Sequence, residues 1–423
     1  MLRLAVALYQ WLGRKTRALP RGGIIFSREL QQRYPGIAPR YRAAAYEFEG
    51  LIAAPERVAI ELVEDGVAAS RRSAALNYAE ISGFDGRDVI VYDARSGASL
   101  RARPRVVVNA AGAGADRVAK LFGVEARMVD GVAGTHLLIR ASAVARALGD
   151  DLLFFEDGNS ERQSRRLCCT YAVGGDVLLG ATERPVADPD LSKPNEDEDA
   201  YLLSALRWLF PDIEVSEADI VGRLHGVRPL VASDGDDVTG RSRDHAIPVH
   251  HSPMLGIPLV TIAGGKWTTF RAIAEDAAHA VLTRLGRPRV ASTASLPIGG
   301  GRGWPQGAGE RARFRDDLVN TFGLDVSTAE RLLATYGSRA PRVAYWLASP
   351  DGRRVIGGTS LTVGETRFFA TEELATSADD IARRRTRLFL EGRATPEVLA
   401  AIDRALSERP ADQRTERQPL PAY

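Results

Sequence analysis

Ile257-Pro258-Leu259-Val260-Thr261-Ile262-Ala263 leads directly into Gly264-Gly265-Lys266-Trp267-Thr268-Thr269-Phe270-Arg271. The first seven residues are mostly branched and apolar and predict a buried strand. Phe270, Ile273, Ala274, Ala277, Val281, Leu282 and Leu285 then recur on one face of a helix that Gly286 ends, with Thr268 as the expected N-cap. The stretch therefore reads as a buried strand running into a helix through two glycines. Glycines at that turn let a ligand approach the backbone, and the first-turn N–H groups favour an anion. Lys266 adds a full charge there. The stretch is not a Walker A loop, because Val260 stands five before Gly265 and Trp267 follows the lysine. The bland alternative is an ordinary tight strand-to-helix turn.

A second junction of the same kind is Arg105-Val106-Val107-Val108-Asn109-Ala110-Ala111-Gly112, followed by a helix carrying Ala115, Val118, Ala119 and Phe122. Small residues at its turn suit close approach of a cofactor or of another backbone. Gly112-Ala113-Gly114 continues as Ala115-Asp116-Arg117, so this is not GxGxxG, and no such dinucleotide fingerprint lies between a strand and a helix anywhere in the chain. Further strand-like runs are Val89 to Asp93, Thr135 to Arg140 and Val177 to Gly180. Gly299 to Pro305 reads as a linker, and helical signals dominate after about Glu310. Thr371 to Leu390 predicts one helix, acidic early and arginine-rich late as the helix dipole prefers. The expected organisation is 1–300, an all-helical domain over 301–407, and a disordered polar tail over 408–423.

The chain has 423 residues, 45% hydrophobic and 26% charged, which is enough to bury large cores and excludes a disordered or fibrous protein. Basic and acidic residues number 56 and 54, so no general excess of positive charge is available for a nucleic-acid backbone. Any anion must be met by a local cluster. Only four of the cations are lysines, and each of the many arginines is a surface residue by default. Arg228 in Gly-Val-Arg-Pro-Leu and Arg243 in Ser-Arg-Asp are candidates for bidentate phosphate recognition. His136 lies on an apolar strand, where a core histidine is the usual reading. His245, His250 and His251 lack metal-ligand spacing, and no metal is expected. The adjacent Cys168 and Cys169 form neither a disulfide framework nor a CxxC pair and fit a reducing compartment. Met1 to Leu12 is too short to span a bilayer and lacks a signal-cleavage pattern. Six cations and no acid up to Arg28 leave two readings, a helix lying on an anionic membrane surface and a core helix with a solvated basic end.

Taken in order, Val107-Val108-Asn109-Ala110-Ala111-Gly112, Gly134-Thr135-His136, Gly226-Val227-Arg228-Pro229-Leu230, Ser242-Arg243-Asp244 and Gly264 to Arg271 resemble the FAD-dependent glycerol-3-phosphate dehydrogenases of the aerobic type. Glu372 to Leu388 looks like that family's helical cap. The resemblance implies an α/β plus α+β fold: an incomplete FAD-binding oxidoreductase fold with an antiparallel substrate-binding sheet and a carboxy-terminal all-helical cap. Against the family's pattern the chain begins downstream of the strand-GxGxxG-helix that holds the FAD pyrophosphate. The family's Gly-Thr-Thr-Asp reads Gly180-Ala181-Thr182-Glu183, and its Pro-Trp after the Asn-Ala-Ala-Gly turn reads Ala113-Gly114.

What the resemblance implies is oxidation of glycerol 3-phosphate to dihydroxyacetone phosphate, with hydride to FAD and electrons to a quinone. Arg228, Arg243 and Lys266 would hold the phosphate and polarise the C2 hydroxyl, with His136 as candidate base. Gly264, Gly265, Thr268 and Thr269 would face the flavin, and Ala110, Ala111 and Gly112 would pack along it. The implied partners are a small phosphorylated polyol and a quinone, in the cytoplasm or on the inner face of the membrane, with a homodimer left open. A rival reading is a non-catalytic remnant or interaction module unable to bind FAD alone. The missing fingerprint predicts that the 423-residue chain releases FAD during purification and elutes colourless. A stoichiometric flavin absorption band in the purified chain would contradict this.

Overall fold

In the computed structural model, which describes residues 20–158, 167–233 and 243–408, a six-stranded antiparallel sheet is organised around β7 (Val129–Ile139). β12 (Ile220–Val231) pairs with β7 over nearly its whole length, whereas β10 (Asp176–Gly180) and β11 (Arg184–Val186) each take part of it. β9 (Leu167–Val173) and β8 (Leu153–Glu156) continue the sheet beyond β10. Register places Val177 opposite Ile139 and Leu179 opposite Leu137. Paired residues share a face and neighbours alternate, so these four form one apolar surface. Helices α4 (Ser142–Leu148) and α5 (Glu196–Leu209) cover it with Val144, Leu148, Leu202, Leu206 and Leu209, all buried. β1 (Gly23–Phe26), β2 (Ala43–Tyr46) and α1 (Ser27–Arg33) add Ile25 and Leu30 to the same core. The other face carries Gly134, His136, Gly226 and Arg228.

A smaller sheet joins β14 (Val249–Ser252) antiparallel to β15 (Ile257–Thr261), and β15 parallel to β6 (Val107–Asn109). Both parallel strands lead into helices, α3 (Ala115–Leu121) and α6 (Phe270–Arg284). The strand expected through Ala263 is broken after Thr261, and β16 (Ala263–Gly264) pairs instead with β13 (His245–Ala246). Gly264 and Gly265 adopt φ of 73° and 93°, the left-handed conformations that turn the chain into the helix. Thr268 is not the N-cap. A 3-10 turn over Trp267–Thr269 precedes α6, and the Thr269 hydroxyl donates to the Lys266 carbonyl at 3.0 Å. On α6, Ile273 and Ala277 are buried but Ala274 is exposed. β3 (Ala79–Asp85), β4 (Asp88–Asp93) and β5 (Ser99–Ala102) form a separate meander.

All these elements belong to one compact unit, residues 1–50 with 78–294; the second unit is residues 51–77 with 295–423. The second is helical: α2 (Pro55–Ala68), α7 (Ala308–Phe322), α8 (Val326–Tyr336), α9 (Ala340–Trp346), α10 (Val363–Glu372), α11 (Ala378–Arg384) and α12 (Pro396–Ser407). Leu332, Val343, Leu347, Phe369, Ile381 and Ile402 are its fully buried centre. Three expectations differ here. The single helix over 371–390 is two, because Leu374 takes φ of 58° after α10 and Ser377 then caps α11 with its side chain. Gly299–Gly301 is a 3-10 turn inside this unit, with Gly299 and Gly300 buried, and not an open linker. α2 joins the unit although the sequence reading placed it in 1–300, since Glu64 and Asp65 pair with Arg339, and Arg57 with Glu373. Of the expected basic amino-terminal surface, which runs to Arg28, residues 1–19 fall outside the described residues, as does the polar tail from 409.

Arg57 donates to both carboxylate oxygens of Glu373, at 2.6 and 2.7 Å, and lies over the Tyr336 ring at 5.0 Å. Arg385 donates to the Glu373 carbonyl at 2.6 Å. Without Glu373 the buried Arg57 keeps only its longer contact to Glu61 Oε1 at 3.4 Å, so Glu373→Ala is expected to destabilise the helical unit by about 3 kcal/mol, the lower end for breaking a buried pair, in urea unfolding. A loss within about 1 kcal/mol, the scale of a solvated pair, would show that the guanidinium has water to turn to.

Candidate active site

Across the sheet, register sets His136 opposite Leu224, Gly134 opposite Gly226 and Val132 opposite Arg228. Residues in these pairs share a face, which puts His136 and Arg228 on the side away from the apolar core. Two glycines make room for them. A Cβ on Gly134 would lie 2.5 Å from Arg228 Nη1, and one on Gly180 would lie 2.0 Å from His136 Cδ2. The guanidinium and the imidazole therefore lie flat over glycine backbone. They open onto a cavity of about 570 Å³ lined also by Gly226, Arg243, Gly265, Lys266 and Trp267.

The charges converge. Arg228 Nη1 approaches the Thr182 carbonyl at 3.4 Å, and Arg243 Nη2 donates to Glu183 Oε1 at 3.0 Å. Burial lowers the Arg228 pKa from its ordinary value, Glu183 opposes that shift, and Arg243 adds to it. Lys266 is exposed and has no ion-pair partner among the described residues. Burial, with the Arg228 charge second, pushes His136 from 6.5 down to about 4. The imidazole is thus neutral at pH 7 and can accept a proton. Cys169, opposite Gly180 on β9, shares this face, and burial pushes its thiol up. Three cations against one carboxylate, with a neutral base beside them, suit a small dianion carrying an ionisable hydroxyl.

His136, Arg228, Arg243, Lys266 and Gly265 line the cavity together, from segments up to 130 residues apart (266 minus 136). Gly264, Thr268 and Thr269 sit in the same turn. Ala110, Ala111 and Gly112 do not line it; they stand at the carboxyl end of β6, beside β15. Sequence reasoning left Trp267 and Glu183 out of the site. Trp267 is 43% exposed at the cavity and stacks on Phe270 at 5.2 Å. An apolar residue between a lysine and two threonines was the available signal.

A family profile described as FAD dependent oxidoreductase matches residues 2–279, and one described as the C-terminal domain of alpha-glycerophosphate oxidase matches 291–413. The mitochondrial glycerol-3-phosphate dehydrogenase of Homo sapiens is 31% identical over 334 residues, covering 76% of this chain and 42% of the human protein. That of Arabidopsis thaliana is 29% identical over 376 residues, covering 84% of this chain and 58% of the plant protein. The chain thus spans about half the length of these relatives. The crystal structure of a glycerol-3-phosphate dehydrogenase from Bacillus halodurans complexed with FAD superimposes with a TM-score of 0.72 at 21% identity, over 92% of this chain and 76% of that one. The likeness is one of fold.

The His136 shift carries a pH signature. Unfolded chains bind the proton near 6.5 and the folded chain only near 4, so stability is full above pH 6.5 and is lost as pH falls through that window. At 1.36 kcal/mol per unit the loss is about 3 kcal/mol. His136→Asn is expected to remove this part of the pH dependence of urea unfolding between pH 7 and pH 4. Parallel curves for the two proteins would mean that His136 titrates normally.

Proposed function

The chain belongs to the FAD-dependent oxidoreductase family, and from that premise we propose that it binds FAD and oxidises glycerol 3-phosphate to dihydroxyacetone phosphate. The observation that carries this reading is the single cavity uniting Arg228, Arg243 and Lys266 with a neutral His136. A flavin cofactor fits the residues present. The carboxyl ends of β6 and β15 lie side by side, each running into a helix, which is where open α/β sheets receive ligands. A Cβ on Gly112 would meet nothing within 4 Å, so the backbone there is open to an approaching group. Ala110, Ala111 and Gly112 would hold the cofactor along its length, and Gly264, Gly265, Thr268 and Thr269 at its reacting end. FAD, when bound, supplies the acceptor for the C2 hydride.

The chain's own groups bind and orient the substrate. Arg228, Arg243 and Lys266 together hold the phosphate and polarise the C2 hydroxyl, the arginines through their planar forks and Lys266 as a point charge. His136, neutral at pH 7, accepts the hydroxyl proton, and the bound phosphate strengthens it as a base by offsetting the Arg228 part of its lowered pKa. The positive end of α6 favours negative charge developing at the turn before it. In this reading the electron acceptor is a quinone, reached from the membrane surface. Among the described residues no helix is long and apolar enough to cross a membrane.

With FAD supplied in excess, Arg228→Ala is expected to lose about 1.5–3 kcal/mol of substrate interaction, the scale for a charged hydrogen bond, seen as a raised KM for glycerol 3-phosphate. Arg228→Lys should recover only part, because an ammonium cannot reproduce the fork. Arg228→Ala combined with Lys266→Ala should be non-additive if both hold one anion. Unchanged KM after Arg228→Ala, or simple additivity, would refute the shared site.

A further inference from the structure

Glu198 stands behind the cavity, on the core side of the sheet, in the first turn of α5, and is only 6% exposed. A capping-box glutamate ordinarily closes back on its own N-cap, and Glu198 does so by accepting from the Asn195 N–H at 3.2 Å. Its carboxylate does more. It accepts from Thr182 Oγ1 at 2.8 Å and from Thr135 Oγ1 at 3.0 Å. Thr182 Oγ1 in turn accepts the Thr135 N–H at 2.9 Å, while the Thr182 N–H donates to the Thr135 carbonyl at 3.2 Å. The Thr135 hydroxyl has one proton and gives it to Glu198, so His225 Nδ1 donates to Thr135 Oγ1 across the 2.8 Å between them. A carboxylate out of water is costly unless its lone pairs are met. Here two threonine hydroxyls and the Asn195 N–H meet them, with Arg184 Nε 3.8 Å away, and both threonines sit in segments that build the anion cavity.

The segment fixed by Glu198 reaches that cavity directly. The Thr182 carbonyl is the oxygen approached by Arg228, and the next residue, Glu183, is the carboxylate that receives Arg243. Thr135 lies between Gly134, over which the Arg228 guanidinium lies, and His136. The geometry points to Glu198 as a positioning residue for the anion site. It acts through the Thr182 hydroxyl to fix the carbonyl and the carboxylate that orient Arg228 and Arg243. The inference rests on the reading of those two arginines as phosphate ligands.

The test is calorimetric titration of the full chain with inorganic phosphate and with glycerol 3-phosphate. Thr182→Val keeps the volume and removes the hydroxyl, and is expected to weaken both by about tenfold, the scale of one lost hydrogen bond. Thr182→Ser, which restores the hydroxyl, should return most of the affinity. Glu198→Gln provides a second route should the valine variant not fold, and should also weaken phosphate binding. Combined with Thr182→Val it should add little, because both changes cut one link. With FAD supplied, the loss should raise KM more than it lowers kcat. Phosphate affinity in folded Thr182→Val or Glu198→Gln equal to that of the unaltered chain would overturn the assignment, as would a serine variant no better than the valine one. Failure of the unaltered chain to bind phosphate would overturn the anion-site reading, and this inference with it.

Discussion

Everything at the candidate site depends on the pairing of β7 with β12 and on what that register permits. It sets Gly134 opposite Gly226 and His136 opposite Leu224, and it brings Arg228 into the same face. A guanidinium and an imidazole can lie against this sheet only because Gly134 and Gly180 have no side chains. The pair is held in a tension that chemistry can use. Burial keeps the His136 imidazole neutral, and the half-buried Arg228 beside it adds to the cost of a second positive charge. A dianion entering the cavity would relieve both costs.

The two faces of the sheet divide the work. Leu137 and Ile139 of β7 with Val177 and Leu179 of β10 meet α4 and α5 in an apolar core, which fixes strand register because a slip of one residue would turn Leu137 and Ile139 outward. Farther along the same face Thr135 and His225, paired mid-strand in β7 and β12, and Glu198 of α5 replace leucines with directed hydrogen bonds. The helical unit uses the same device. Glu365 closes a capping box with Thr362 while taking two bonds from Arg331, at 2.7 and 2.9 Å, and one from the Tyr336 hydroxyl at 3.0 Å. In each unit a buried carboxylate of a helix N-terminus fixes the first turn against its neighbours.

Local pattern made much of this legible in the sequence. The strands at 107–109, 177–180 and 257–261 follow from short branched apolar runs between glycines, and α6 from its apolar face and Gly286. Arg228, Arg243 and Lys266 stand out by their local motifs, whereas His136 reads locally as a core histidine and enters only through the family resemblance; the structure gathers all four in one cavity. What could not be read was tertiary. No local rule tells that Leu374 takes a left-handed turn and splits a helical pattern in two, since only its packing selects that conformation. Nor does periodicity reveal that 51–77 leaves the sheet unit, because ion pairs more than 270 residues apart in sequence hold it. Glu198 stands fourth in Asn195-Glu196-Asp197-Glu198, a helix-start pattern, but its other partners, Thr135 on β7 and Thr182 in the loop after β10, are set only by the tertiary fold.

The central claim is that Arg228 and a neutral His136 share one anion cavity. Its most direct test is the His136 pKa, followed through the imidazole carbon-bound protons by NMR, with and without saturating glycerol 3-phosphate. The account predicts a value of about 4 in the free chain and a partial upward shift when the phosphate offsets the Arg228 charge, since burial, the larger cause, remains. A ring that titrates near 6.5 in the free chain, or whose pKa is unmoved by the ligand, would contradict it.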